Sequence, residues 1–199
     1  TSVSRGLGDV YKRQHRNFAV DLGFYPLGSC TMKYNPRFAD SIASDSRFAN
    51  MHPSMPEEFI QGCLKVYYEI GNYLCEITGM HDASFQPPAG ASGELTGLLI
   101  IKKYLEVNNL NHKTEIIVPD SAHGTNPASA RMAGFTVVEV ETDSRGMVNI
   151  DKLKEIVNDN TAGLMLTNPN TGGLFEEEIL TISQIIHNAG GLLYLSLIH

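Results

Sequence analysis

The stretch Gln86-Pro87-Pro88-Ala89-Gly90-Ala91-Ser92-Gly93-Glu94-Leu95-Thr96-Gly97 decides how the rest of this chain is interpreted. Its paired prolines end the preceding element, and a helix-forming run follows at once. Small residues at the start of a helix leave backbone N–H groups free at its positive end, which suits an anion such as a phosphate. An ordinary glycine-rich loop before a helix has the same pattern, so the stretch alone does not separate the two interpretations. It contains neither Gly-x-Gly-x-x-Gly nor Gly-Lys-Ser/Thr, which disfavours a dinucleotide site and a P-loop.

Composition indicates an ordinary globular domain. The 199 residues are 42% hydrophobic, carry a net charge of −7 and contain no long basic run, which argues against nucleic acid or an anionic membrane as a partner. No apolar run is long enough to span a bilayer, and residues 1–14 lack the apolar core of a secretory signal. Cys30, Cys63 and Cys75 show no metal-like spacing, so we expect reduced thiols in a cytosol-like compartment.

Alternating elements predict an α/β fold. A helix is expected to start at Pro56-Glu57-Glu58 and to end at Gly79. Beyond it, strands are predicted over 114–118, 135–140, 162–167 and 191–195, and helices over 92–106, 127–133, 151–157 and 177–188. This alternation favours a mainly parallel sheet with helices on both faces. Residues 15–56 have little periodicity and many turn formers, so we interpret them as an ordered arm that borders a site.

Three polar loops are expected at one edge of this sheet. They are the Gly90–Gly93 loop, the stretch from Asp120 to Pro127 after one strand, and the stretch from Thr167 to Gly172 after another. Because ligands gather at the carboxyl ends of parallel strands, the three loops together favour a shared pocket. A lone His123 would more often be structural. The histidines form no zinc pattern and no Gly-x-Ser-x-Gly elbow is present, so we predict no metal site and no serine nucleophile.

Four motifs carry a specific resemblance. They are Tyr25-Pro-Leu-Gly-Ser-Cys-Thr-Met-Lys-Tyr-Asn-Pro36, Gln86-Pro-Pro-Ala-Gly-Ala-Ser-Gly-Glu-Leu-Thr-Gly97, Asp120-Ser-Ala-His-Gly-Thr-Asn-Pro-Ala-Ser-Ala130 and Thr167-Asn-Pro-Asn-Thr171. On these motifs the chain, from about residue 15 to 194, resembles the P-protein family of the glycine cleavage system, and specifically its pyridoxal-phosphate-bearing subunit 2.

The resemblance implies a fold-type-I pyridoxal-phosphate enzyme, glycine dehydrogenase (aminomethyl-transferring, decarboxylating), with pyridoxal 5'-phosphate as cofactor. Glycine would lose CO2, and its aminomethyl group would pass to the lipoyl arm of H-protein. Subunit 1 would complete a heterotetramer with two copies of each subunit. The compartment would be the cytoplasm in a bacterium or archaeon, or the mitochondrial matrix in a eukaryote.

The resemblance also assigns roles to residues. His123 would lie over the cofactor ring as the catalytic candidate. The cofactor-binding residues would be Gly90, Ala91, Ser92, Gly93, His123, Thr125, Asn168 and Asn170. The entrance for substrate or the lipoyl arm would be lined by Ser29, Cys30, Thr31 and Lys33.

The chain departs from the family at its ends. Ser196 stands where the family has the aspartate that pairs with the ring nitrogen, and no lysine follows Lys154 to attach the cofactor. We therefore expect residues 1–14 and 196–199 to be non-native tails, flanking the arm at 15–56 and a truncated large domain at 57–195. Natural divergence is the alternative explanation.

Other functions stay open on the sequence alone. The chain could be another fold-type-I decarboxylase or lyase, although such a relative would not be expected to carry the motif at 25–36. It could be a non-catalytic partner subunit, but decay of the site would also have eroded the Gly90–Gly93 loop and His123. A nucleotide-binding module is the least favoured interpretation.

Overall fold

The computed structural model describes residues 2–16, 36–52 and 54–197, with only the backbone for 2–7. The chain divides into two compact units, Thr1–Met80 and His81–His199.

In the described part of the first unit the secondary structure is helical. Its elements are α1 (Ser2–Gln14), α2 (Arg37–Ala43), α3 (Ser46–Ala49), a 3-10 turn (Glu57–Phe59) and α4 (Gln61–Thr78). The predicted start at Pro56 is thus a 3-10 turn, and the α-helix begins four residues after Glu57. The predicted end is confirmed, because Gly79 follows α4 in the left-handed conformation, with φ of 69°.

The second unit alternates helices and strands. Its elements are α5 (Gly90–Val107), β1 (Glu115–Pro119), α6 (Thr125–Met132), β2 (Thr136–Val140), α7 (Ile150–Ile156), β3 (Thr161–Asn168), α8 (Ile179–Asn188) and β4 (Leu192–Leu197). Each predicted strand and helix of this unit is present, with ends that differ by at most two residues. The predicted fold class, α/β with a parallel sheet, is confirmed.

The four strands form a parallel sheet in the order β2-β1-β3-β4. From β1 the chain moves outward to β2, and from β3 it moves outward in the opposite direction to β4. The chain therefore leaves β1 and β3 in opposite directions, and the point between these two strands is a switch point, where open α/β sheets bind ligands.

Two apolar layers cover the sheet. On one face, Leu98, Ile101 and Leu105 of α5 pack with Ile116 and Val118 of β1. On the other face, the fully buried Ile117 joins a cluster that also contains residues of α7 and α8. Successive residues of a strand point to opposite faces, so β1 contributes to both layers and is buried from Ile116 onward.

The amino edge of the sheet is held by one buried cation. Lys113 is 5% exposed, and its Nζ donates to the carbonyl oxygens of Asp159 at 2.8 Å and Ala189 at 2.7 Å. These bonds join the segments that lead into β1, β3 and β4, and they compensate for burying the charge. Among the described residues, no helix has the length and apolar character needed to cross a membrane.

Candidate functional site

The start of α5 presents unpaired backbone donors. Ala89 is the N-cap residue, its backbone is extended, and no side chain caps the helix. The N–H of Gly93 already donates to the carbonyl oxygen of Ala89 at 3.0 Å. The N–H groups of Gly90, Ala91 and Ser92 precede it in the first turn, where a helix offers them no carbonyl partner. The start of α5 therefore has the donor set that a phosphate requires.

The space next to these donors is open. A Cβ atom built on Gly90 or on Gly93 would meet no atom within 4 Å. The glycines are therefore not needed for packing among the described residues, and they leave room for a ligand to approach the backbone. This open donor cradle fits the phosphate of pyridoxal 5'-phosphate.

His123 lies in the loop that connects β1 to α6, and Thr125 is the first residue of α6, at the carboxyl edge of the sheet. The His123 ring is exposed, and its Nδ1 lies 2.8 Å from Thr125 Oγ1 and 3.3 Å from the Thr125 backbone nitrogen. Both contacts are made at the edge of the ring, so the exposed flat ring is available to lie against a planar ligand. The Thr125 hydroxyl, in contrast, already has hydrogen-bond partners within the protein.

Glu94 is a site residue that the sequence predictions did not include. Its Oε1 accepts the Thr125 hydroxyl at 3.0 Å, and its Oε2 lies 3.4 Å from Ser129 Oγ. These contacts join α5 to the start of α6. The only signal in the sequence was a carboxylate next to a predicted anion site, where its charge would repel a phosphate.

Tyr194 of β4 lies beneath α5. A Cβ atom on Gly97 would come within 2.9 Å of the Tyr194 ring, so the glycine permits this close approach. Burial raises the pKa of the Tyr194 phenol, the negative charge of Glu94 raises it further, and a hydrogen bond with Ser196 acts in the opposite direction. The charge of Glu94 therefore acts on Tyr194 at this edge of the sheet.

The loop after β3 is braced by its own polar side chains. Asn168 is 5% exposed, and its Oδ1 accepts the N–H of Glu176 at 2.9 Å. Asn170 donates from Nδ2 to the Gly146 carbonyl at 2.8 Å and accepts the N–H of Gly172 at 2.9 Å. Both asparagines were predicted to border the cofactor, and within the described chain they organise the loop.

The loops after β1 and β3 meet at the switch point. The Thr171 hydroxyl donates to the Ser121 carbonyl at 2.6 Å across 50 residues of sequence. A shallow depression beside this contact is lined in part by Ala122, Thr167 and Asn170. Its lining includes neither the Gly90–Gly93 loop nor His123, so this depression is not a pocket shared by all three predicted loops.

The structure brings part of the predicted site together. The start of α5 and the His123–Thr125 loop are joined through Glu94, and the loop after β3 joins the loop after β1 through Thr171. The predicted entrance residues Ser29, Cys30, Thr31 and Lys33 lie outside the described residues. Of the cysteines within the described chain, Cys63 and Cys75 are unpaired.

Comparison with curated proteins identifies sequence relatives. A protein of Caldanaerobacter subterraneus subsp. tengcongensis named "Probable glycine dehydrogenase (decarboxylating) subunit 2" is 58% identical over 179 residues, which is 90% of this chain and 37% of that protein. A protein of the same name from Staphylococcus epidermidis is 57% identical over 180 residues, which is 90% of this chain and 36% of that protein. The chain thus spans little more than a third of the length of these relatives. No family model matches it.

Comparison with solved structures identifies the fold. A structure titled as glycine decarboxylase (P-protein) of the glycine cleavage system, in inhibitor-bound form, matches with a TM-score of 0.75 and 18% identity, covering 97% of this chain and 42% of that one. Mouse CSAD matches with a TM-score of 0.61 and 16% identity, covering 79% of this chain and 36% of that one. The resemblance to subunit 2 of the glycine cleavage P-protein is confirmed along most of this chain, as is the fold-type-I architecture.

Proposed function

We propose that this chain, a sequence relative of subunit 2 of glycine dehydrogenase (decarboxylating), acts in glycine decarboxylation only as part of an intact subunit, since it has no lysine after Lys154 to attach the cofactor, and that it contributes a site for pyridoxal 5'-phosphate at the carboxyl edge of its sheet. The observation that carries the proposal is the open first turn of α5, where three backbone donors precede Gly93, on a helix whose Glu94 is linked to the exposed His123 through Thr125. The names of the relatives support the assignment of glycine as the substrate.

The chain's own residues would bind and orient the cofactor. The N–H groups of Gly90, Ala91 and Ser92 would hold its phosphate, assisted by the positive end of the 18-residue helix α5. The His123 ring would lie flat against the cofactor ring, and Asn168 Nδ2 would be a donor at its border. The cofactor itself supplies the electron sink for cleavage of the bond between the carboxyl group and the α-carbon of glycine.

Partners and compartment are part of the proposal. After CO2 release, the aminomethyl group would pass to the lipoyl arm of H-protein, and Ser29, Cys30, Thr31 and Lys33 would line the entrance for that arm. Subunit 1 would complete a heterotetramer. The relatives named above come from bacteria, in which the cytoplasm is the compartment we propose.

The phosphate cradle can be tested by removing one donor. Gly90→Pro deletes an N–H group at the first helical position, where proline is tolerated, and the preceding Ala89 is already extended at φ −156° and ψ 166°. Gly90→Ala is the matched control, since it keeps the N–H group and places a methyl group in open space.

We expect pyridoxal 5'-phosphate to bind more tightly than pyridoxal, as measured by absorbance titration. A hydrogen bond to a charged group contributes about 1.5–3 kcal/mol, so Gly90→Pro should weaken binding of the phosphorylated form roughly tenfold or more. Gly90→Ala should bind it as the wild type does. Equal binding of the two compounds, or no effect of Gly90→Pro, would exclude the cradle as the phosphate site.

The role of His123 can be tested by varying the flat ring. His123→Ala removes the contact with the cofactor ring, which should weaken binding by about 0.5–1.5 kcal/mol, the contribution of a stacked pair beyond burial. His123→Phe retains a flat surface and should lose less. If His123→Ala binds the cofactor like the wild type, the histidine is structural.

A further inference from the structure

Glu94 connects α5 to the histidine of the site through a single hydroxyl group. The distance from Glu94 Oε1 to Thr125 Oγ1 is 3.0 Å, and the distance from Thr125 Oγ1 to His123 Nδ1 is 2.8 Å. Glu94 and Thr125 are 31 positions apart in sequence, so this contact is a product of the fold. The proposed function above assigns Glu94 no role.

Counting hydrogen atoms decides the direction of these two bonds. A carboxylate only accepts hydrogen bonds, and a threonine hydroxyl has one hydrogen to donate. The Thr125 hydroxyl must therefore donate to Glu94, and its oxygen is left to accept from His123. This arrangement requires a proton on Nδ1 of His123.

A competing contact favours the opposite arrangement. The backbone N–H of Thr125 lies 3.3 Å from the same Nδ1, and it would donate there if Nδ1 carried a lone pair. That distance is longer than the usual range of 2.7–3.2 Å for such bonds, about 2.9 Å being typical. The hydrogen bond to the carboxylate is charge-assisted and roughly twice as strong as a neutral one. The hydrogen bond from the Thr125 hydroxyl to Glu94 should therefore determine which ring nitrogen of His123 is protonated.

We propose that Glu94 is a positioning residue that acts through Thr125 to keep the proton of neutral His123 on Nδ1. The other ring nitrogen, Nε2, then carries the lone pair on the exposed ring and can accept a hydrogen bond or a proton from a ligand. The relevance of this to the cofactor rests on the proposed function, but the position of the proton does not.

A purely structural role for Glu94 predicts a different result. The carboxylate also lies 3.4 Å from Ser129 Oγ, so it could simply tie α5 to α6. Removing such a tie would lower stability and leave the histidine proton where it is. The position of the proton is thus the readout that separates the two roles.

The experiment is long-range ¹H–¹⁵N NMR of the histidine rings at pH about 9, well above the ordinary histidine pKa of about 6.5. The signals of His123 are identified by their loss in His123→Gln. Glu94→Ala releases the Thr125 hydroxyl, which can then donate to Nδ1, and Thr125→Val removes the hydroxyl. Thr125→Ser and Ser129→Ala are the matched controls, since one keeps the hydroxyl and the other removes the second partner of Glu94.

We expect a proton on Nδ1 in the wild type, in Thr125→Ser and in Ser129→Ala, and a shift of the proton to Nε2 in Glu94→Ala and Thr125→Val. A wild-type ring protonated on Nε2, or an unchanged ring in Glu94→Ala, would overturn the proposal. If Glu94→Ala does not fold, Glu94→Gln replaces it; its uncharged amide holds the hydroxyl less strongly, so part of the proton population should move to Nε2, and no movement would count against the proposal.

The result is independent of cofactor binding. If the proton moves as expected while Gly90→Pro leaves cofactor binding unchanged, the positioning role stands and the proposed phosphate cradle fails. If the cradle is supported while the proton stays on Nδ1 in Glu94→Ala, the positioning role fails alone.

Discussion

Helices α4 and α5 are each 18 residues long, but they use their apolar residues differently. No residue of α4 is buried, although apolar residues recur along it every three or four positions. In α5, Leu98, Ile101 and Leu105 are buried at 0%, 6% and 3% exposure. Periodicity thus predicts a helix and its apolar face, while burial depends on what the fold places against that face.

Truncating one leucine in each helix is expected to have the largest effect. Leu98→Ala should lower the free energy of unfolding by about 2–5 kcal/mol, since it opens a cavity in a packed layer. Leu74 of α4 is 39% exposed, so Leu74→Ala should cost less than about 1 kcal/mol. Urea unfolding followed by circular dichroism measures both. If the free energy of unfolding falls by similar amounts in the two variants, the apolar face of α4 is covered in solution.

Two glycine-to-alanine substitutions, one in each helix, should change stability in opposite directions. At Gly97 the new methyl group would meet the Tyr194 ring at 2.9 Å, so Gly97→Ala should cost about 1–3 kcal/mol through overpacking. At Gly62 of α4 nothing lies within 4 Å of the new Cβ, and alanine is the better helix former, so Gly62→Ala should gain up to about 1 kcal/mol. Thermal melts of both variants provide the comparison. If Gly97→Ala is more stable than the wild type, the Tyr194 ring moves aside at little cost.

The carboxyl ends of the two helices provide a smaller test. Gly79 follows α4 with φ of 69°, and Asn109 lies beyond the end of α5 with φ of 59°. A left-handed conformation costs a residue with a Cβ atom about 1–2 kcal/mol. Gly79→Ala should therefore destabilise the chain, and Asn109→Gly should be neutral or slightly stabilising, as judged from urea midpoints. If Gly79→Ala is neutral, the end of α4 is frayed in solution.

The smallest expected effect is the pH dependence that arises where α5 approaches β4. Because folding raises the pKa of Tyr194, the folded chain holds the phenolic proton more tightly than the unfolded chain does. The associated stability is present below the unfolded pKa of about 10 and is lost as the pH rises through the higher folded value. Tyr194→Phe should lose less stability than the wild type between about pH 9 and 11. If the stability of Tyr194→Phe and that of the wild type fall in parallel over this pH range, Tyr194 does not contribute to the pH dependence.

Local sequence determined the elements of this protein. The strands and helices of the second unit are set by apolar periodicity and by turn residues, and Gly79 ends α4 because few other residues adopt its conformation. These signals lie within a few residues of the structures they cause. For the same reason, the three polar loops could be placed at the ends of strands and the first turn of α5 could be recognised as a donor site.

The tertiary structure alone decided which of these parts meet. The order β2-β1-β3-β4 places the loops after β1 and β3 side by side, so that Thr171 reaches Ser121. It also gives Asn168 and Asn170 backbone partners in and near their own loop, and it brings Glu94 to Thr125 and His123. Partners separated by 31 or 50 positions leave no local signal, because their contact depends on where every intervening element packs.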